Sequence, residues 1–545
     1  MNPESTFLRS RAPLGVALVA LALLGCPGDG SDGDAPLIIF NSTPDCIVFA
    51  GGFPSGFSPL PGSGREAAVV QFLPTAVLGL DLEPEPPQLL ATQAIPGFPE
   101  LASARCGGLR ADSDSDGRPD ADRSDELGFQ CLAPAAGHVR ALAPDLVALG
   151  TSSYEQILLL DPRSGELSLA ELDAPSPGPG FAAADWPFWP RAGARPYRSG
   201  FSTRVCVYGT GLVDSLGAPL GANTRCDGAR EGFVTTFTAD SLLVGNRLFV
   251  ATSNLIRSST AQFSPGTVLA FDLDLTTTPP RVGPAPENAV LLTSGYNPTS
   301  LAPYTTPSGR ELVLVGVTGA IALGTGSGLV RTDSAIDVID AATLELIASV
   351  PLGPAGLGFA GMALDPTGRI GLIGAATSPS IFAIDLMALD DPGLGTGTEP
   401  LPILLDGSTP GFLDARVYAA ANPFELPKRA DGPPESVCTT QTSVAIKDDG
   451  GFVAASDFCD GTISVLDLDL PPTRTTALDP DTVLRLNRVA NVVAPLVPTA
   501  VGRMRALDRI LIRPGTPHID FNGPDLHFTA GLPEGAVCGV RIDAL

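Results

Sequence analysis

Ser334–Gly353 reads SAIDVIDAATLELIASVPLG, two apolar runs, Ala335–Ile339 and Leu344–Val350, either side of Asp340-Ala341-Ala342-Thr343. The pattern predicts a β-hairpin. An Asp side chain accepts a hydrogen bond from the backbone two residues on, which starts a turn there. The first run is largely apolar on both of its faces, as a strand is when other sheets cover it on either side.

Six further segments align with that first strand: Thr75–Leu82 (TAVLGLDL), Glu155–Pro162 (EQILLLDP), Gly266–Leu273 (GTVLAFDL), Pro379–Leu386 (PSIFAIDL), Gly461–Leu468 (GTISVLDL) and Gly535–Ile542 (GAVCGVRI). Their third and sixth positions are always large and apolar. The seventh is Asp81, Asp161, Asp272, Asp340, Asp385 and Asp467, with Arg541 in the last copy. A recurring strand that ends in a turn-forming Asp signals internal repetition. A second hairpin precedes several copies: Gly361–Gly374 (GMALDPTGRIGLIG), Ser443–Ala455, Ser300–Gly316 and Ser241–Ala251. Each unit is therefore four strands, an inner hairpin followed by an outer one, and such a unit buries its faces only against copies of itself.

The expected fold is all-β: a single propeller of about seven four-stranded blades with long loop insertions. The outer hairpin closely resembles the YVTN-type β-propeller repeat of bacterial surface and periplasmic proteins. The abundance of Gly and Pro (61 and 54) suits such a turn-rich chain. Asp340 and Asp385 are 45 residues apart, the span of a compact blade at roughly 40–45 residues. The other spacings are longer and leave room for insertions. A net charge of −26 argues against a nucleic-acid binder, which needs a basic face.

Residues 1–26 read as a signal. Arg9 and Arg11 precede the apolar run Leu14–Leu24, which is too short to span a bilayer. Leu23-Leu24-Gly25-Cys26 resembles the bacterial lipoprotein box. The resemblance implies cleavage before Cys26, its acylation (palmitate among the chains) and attachment to the membrane. An ordinary secretory signal with an incidental Cys is the alternative. Pro27 follows Cys26, where an inner-membrane retention signal of some bacteria has Asp, so the expected address is the outer membrane. Residues 27–36 are a Gly- and Asp-rich tether and 37–545 the propeller.

Beyond Cys26 eight cysteines remain, which in an exported chain suggests disulfides. Cys438 and Cys459 lie symmetrically about Asp448-Asp449, so a two-residue turn there sets Val444 opposite Val453 and the two cysteines opposite each other. Cys106–Cys131 and Cys206–Cys226 bracket polar insertions. Cys46 and Cys538 are left, one near each end. Propellers commonly close by pairing strands from the two termini, which implies Leu37–Phe40 beside Gly535–Arg541, locked by Cys46–Cys538. Free buried thiols are the alternative.

The insertion 106–131 contains Asp112–Glu126, DSDSDGRPDADRSDE. Asp112, Asp114, Asp116 and Asp120 fall at positions 1, 3, 5 and 9 of a Ca²⁺ loop, with Gly117 at 6 and the Arg118 carbonyl at 7. The segment resembles one thrombospondin type 3 repeat, but Arg123 stands where a bidentate acid belongs. A structural Ca²⁺ site and a solvated acidic loop both fit these residues. Ala174–Gly200, a Pro-rich loop, carries Trp186, Phe188, Trp189 and Tyr197 among arginines. These types are enriched at binding hot spots, and equally serve to anchor a long loop to the fold.

Motifs for chemistry are sparse. His138, His518 and His527 are scattered, and neither a phosphate loop nor zinc-ligand spacing occurs. The reading is a monomeric, lipid-anchored, non-catalytic scaffold for an unknown protein or polysaccharide. The alternative is a lactonase-like propeller hydrolase using channel-facing carboxylates and a metal.

Overall fold

The computed structural model describes residues 45–541 apart from the connections 95–135, 161–199, 322–331, 394–423, 426–442, 470–484 and 494–518 and some shorter stretches. Among the described residues, seven antiparallel sheets have four strands or more. Blade 1 runs from Pro54–Pro59 through Glu66–Gln71 and Ala76–Asp81 to Gln88–Ala94. Blade 2 comprises Ala136–Ala143, Leu146–Thr151, Gln156–Leu160 and Gly200–Ser202. Blade 3 has Thr238–Val244, Arg247–Thr252 and Pro265–Asp274, the last paired outward with both Arg281–Val282 and Val290–Tyr296.

Blade 4 is Pro298–Thr305, Glu311–Val317, Ser334–Asp340 and Glu345–Gly353. Blade 5 is Leu357–Leu364, Ile370–Ala375, Ser380–Asp385 and the short Phe424–Glu425. Blade 6 is Val444–Ile446, Phe452–Asp457, Thr462–Asp469 and Arg485–Val493. Blade 7 takes Ile519–Asn522, Asp525–Ala530 and Gly535–Arg541 from the end of the chain, and its outermost strand, Asp45–Phe49, from near the start.

Innermost strands touch their neighbours in order, and that of blade 7 returns to blade 1. The fold is a β-propeller, as the repetition predicts. All seven aligned segments occupy the third strand of their blade. Their third-position residues, Val77, Ile157, Val268, Ile336, Ile381, Ile463 and Val537, are all buried. The core accordingly lies in apolar slabs between blades. One slab joins Leu312, Ile336 and Val350 of blade 4 to Leu357, Ile373 and Phe382 of blade 5.

The repeated aspartates fasten the outer hairpins. Asp340 Oδ1 accepts from the N–H of Ala342 and of Thr343, both at 2.9 Å, and Leu344 completes the turn at φ 59°. Arg310 Nε adds an ion pair to Asp340 Oδ2 at 2.6 Å. Burial would raise the Asp340 pKa, but these donors outweigh it and hold the carboxyl below its usual range. Asp385 repeats the turn contact on the Met387 N–H. Asp272 instead pairs with Arg247, whose guanidinium also reaches the Ala341 carbonyl of the next blade.

Two expectations fail. The strand that closes blade 7 is Asp45–Phe49, not Leu37–Phe40, and Cys46 lies within it; Leu37-Ile38-Ile39-Phe40 and Cys46-Ile47-Val48-Phe49 are equally strand-forming, so propensity does not choose between them. In blade 6, Val444 faces Ala455 and Ile446 faces Val453. Lys447 N–H bonds the Phe452 carbonyl, and Gly450, at φ 75°, closes back on Lys447. The loop between them is thus four residues, not two, and the register moves by two. That removes the geometric argument for Cys438–Cys459, two cysteines that lie outside the described residues.

Candidate interaction face

Antiparallel order sorts the connections by face. Those from first to second and from third to fourth strands leave at one face. Those from second to third, and from each fourth strand to the next blade, leave at the other. On this second face the chain between blades 2 and 3 makes an excursion, with Cys206–Tyr208 paired to Gly232–Val234. Here Arg230 stacks over the Tyr208 ring, 3.9 Å from its centroid.

The tip of this excursion is Leu212–Leu220, LVDSLGAPL. Asp214 organises it, as an Asx turn does. Its Oδ1 accepts from the N–H groups of Leu216 (2.8 Å) and Ala218 (2.9 Å). Gly217 N–H returns to the Asp214 carbonyl, and Gly217 takes φ 81°, a conformation that costs little only without a Cβ. Val213 bridges Pro219.

Blade 3 then grips the tip from below. Gln262 donates to Asp214 Oδ2 at 2.7 Å, and Ser215 and Phe263 exchange two bonds, N–H to carbonyl and N–H to hydroxyl. The Tyr296 hydroxyl donates to the carbonyls of Val213 and Asp214. Burial, then the nearby Asp214 charge, raises the Tyr296 pKa, so the phenol stays a donor. Phe263 and Ala320, with Leu255 and Tyr296, form the apolar footing. With its polar groups turned inward, the tip leaves Val213 38% and Leu216 48% exposed. A rigid apolar projection loses little conformational entropy on binding.

Among the described residues, polar contacts tie the innermost strands of blades 2, 3 and 4 together. Asp240, on the innermost strand of blade 3, accepts from the N–H groups of Ser241 and Leu301 and from Arg140 Nη2 at 2.7 Å. Arg140 also donates to the carbonyls of Ser241 and Leu301, so the pair ties blades 2, 3 and 4 together. Beside it His138 Nε2 is 3.2 Å from Ser241 Oγ. Burial pushes His138 down to about 4, with Arg140 acting in the same direction and Asp240 against it, and the ring is neutral at physiological pH. His527, on the second strand of blade 7, is likewise pushed down to about 4 by burial.

Among the described residues, no three or more His, Cys, Asp or Glu side chains converge to hold a metal ion. No described helix is long and apolar enough to cross a membrane. Cys26, the acidic residues Asp112, Asp114, Asp116 and Asp120 with Arg118, and the aromatics Trp186, Trp189 and Tyr197 lie outside the described residues. So do Cys106, Cys131 and Cys226. Sequence reasoning missed the Val213/Leu216 tip. Asp214-Ser215-Leu216-Gly217 was readable as a turn, but exposure of its apolar flanks depends on the footing supplied by blade 3.

No protein-family model matches the chain, and no curated protein matches it. Among solved structures it is similar to the Myceliophteria thermophila Cps50 (Swd1) beta-propeller domain, at 12% identity, covering 92% of this chain and 99% of that one, with a TM-score of 0.42. It is also similar to Kluyveromyces lactis Hsv2, at 9% identity, over 82% and 100% of the two chains, with a TM-score of 0.32. The likeness is loose, and the propeller assignment rests on the strand order above.

Proposed function

We propose that this chain is a lipid-anchored protein of the bacterial outer membrane whose propeller serves as a non-catalytic binding scaffold. The face carrying the Val213/Leu216 tip takes a protein partner. The observation that supports this reading is the tip itself: two apolar side chains held out to solvent by a turn whose polar groups are satisfied internally. Because the turn is already ordered, burying these two side chains against a partner costs little additional ordering. The anchor rests on Leu23-Leu24-Gly25-Cys26.

A photo-crosslinking residue placed at Leu216 in cells tests the face, with Glu345, exposed on the opposite face, as control. A discrete protein adduct at 216 and none at 345 is expected; equal yields at both, or none at 216, sinks the reading. The anchor has its own test. Cys26→Ser should abolish incorporation of labelled palmitate and leave an unprocessed precursor, and a mature N-terminus elsewhere than Cys26 refutes it.

A further inference from the structure

In blades 1 to 6 the outermost strand follows its own third strand in the chain, whereas blade 7 borrows Asp45–Phe49 from the other end. In that pairing Cys46 is directly opposite Cys538, and Ile47 is opposite Val537. Cys538 is fully buried and disulfide-bonded. This register fits the Cys46–Cys538 pairing expected from the sequence, and we propose that the bond between them is a redox-controlled clasp holding the ring shut.

The register makes the bond feasible. Directly opposed residues on antiparallel strands bring their Cβ atoms to about 4.5–5.5 Å, within a small adjustment of disulfide geometry. The need for it follows from the topology. The borrowed strand is five residues long and held along one edge by a single neighbour. Short terminal strands of this kind open first. Once it leaves, Gly535–Arg541 presents an open edge whose backbone groups pair with any available strand. A covalent tie at the second residue of the strand stops its departure while leaving the ladder unaltered.

Formation of the clasp consumes a disulfide oxidant. The Cys46 thiolate attacks the oxidant's disulfide to give a mixed disulfide, and the Cys538 thiolate then displaces the oxidant as a dithiol. Overall two thiols lose two protons and two electrons, both passing to the oxidant. Closure therefore belongs to an oxidising compartment, and a reducing one leaves the ring held by the ladder alone. The inference rests on the register of blade 7 and is independent of any anchor or partner.

Peptide mapping of the wild-type protein under non-reducing conditions should yield a peptide joining Cys46 to Cys538. In Cys46→Ala/Cys538→Ala, amide hydrogen exchange in Asp45–Phe49 and Gly535–Arg541 should quicken at least tenfold, with Ser334–Asp340 in blade 4 unchanged. If the double variant does not accumulate, the same exchange is read on wild-type protein across a graded dithiol series, with Cys206→Ala as a control for the other described disulfide cysteine. Cys538 joined to a different cysteine, or unaltered exchange in the two strands once the bond is gone, overturns the proposal.

Discussion

Replacing Gly150 with Ala should destabilise the propeller, although residue preference alone points the other way. In a strand interior Ala is favoured over Gly by roughly 0.5–1 kcal/mol. Gly150, however, faces His138 on the innermost strand of blade 2, and a Cβ built on Gly150 would fall on the imidazole ring. The ring has nowhere to go. It is 7% exposed, and its Nε2 is engaged with Ser241 of the next blade. Overpacking a filled core costs about 1–3 kcal/mol, and losing the Ser241 contact adds about 1 kcal/mol.

The steric cost wins, for a net loss of about 1–3.5 kcal/mol after the backbone gain is subtracted. His138→Ala alone leaves a cavity and should cost on the order of 2–4 kcal/mol. In the double variant the methyl introduced by Gly150→Ala enters the space the ring has vacated. The two losses should then fall short of additivity by at least about 1.5 kcal/mol. Urea denaturation of the four proteins, followed by fluorescence and circular dichroism together, reads the cycle. Additive losses, or a Gly150→Ala protein as stable as wild type, would refute the steric account of this glycine.

Two carboxylates three residues apart on one strand should have opposite pH signatures. Asp337 is fully buried against Ser294 of blade 3 and Ser349, and burial raises its pKa despite their hydrogen bonds. With its folded pKa above the unfolded value, its contribution falls as pH rises through the interval between them. Asp337→Asn should therefore gain on wild type as pH is raised from about 4. Asp340, held below its usual range, contributes stability that is lost as pH falls, so Asp340→Asn should cost about 1–2 kcal/mol near neutrality and less in acid. Denaturation midpoints across pH test both, and parallel profiles for the two variants would contradict the assignment. For the acidic insertion, calorimetric titration with Ca²⁺ should show one site that disappears in Asp114→Ala/Asp116→Ala; no heat at millimolar Ca²⁺ leaves it a solvated loop.

The blade repeat was legible because its signals are local. A strand covered on both faces is largely apolar, as Ser334–Asp340 is with Asp337 the one carboxylate inside it, and an Asp at its end starts the turn. The arginines that reinforce those aspartates were not legible. Arg310 precedes Asp340 by 30 residues and meets it only because the second and third strands pair. Blade 6 shows how small the margin is. Lys447-Asp448-Asp449-Gly450-Gly451 accommodates a two- or a four-residue loop, and the register depends on which carbonyl the Lys447 N–H reaches.

The sequence by itself determined the all-β class, the repeating four-strand unit, and the place of each aligned segment as a third strand. All of these follow from residue periodicity and turn chemistry within a few tens of residues. Tertiary structure alone decided which run near the start fills blade 7, since Cys46 to Phe49 competes for one open edge hundreds of residues away. It alone decided that Arg140 and Asp240 are spent tying three blades together, and that Val213 and Leu216 stay in solvent. An apolar side chain is buried or exposed according to what the rest of the chain brings against it. For the tip, the Phe263 and Tyr296 footing holds the polar backbone and leaves those two side chains free.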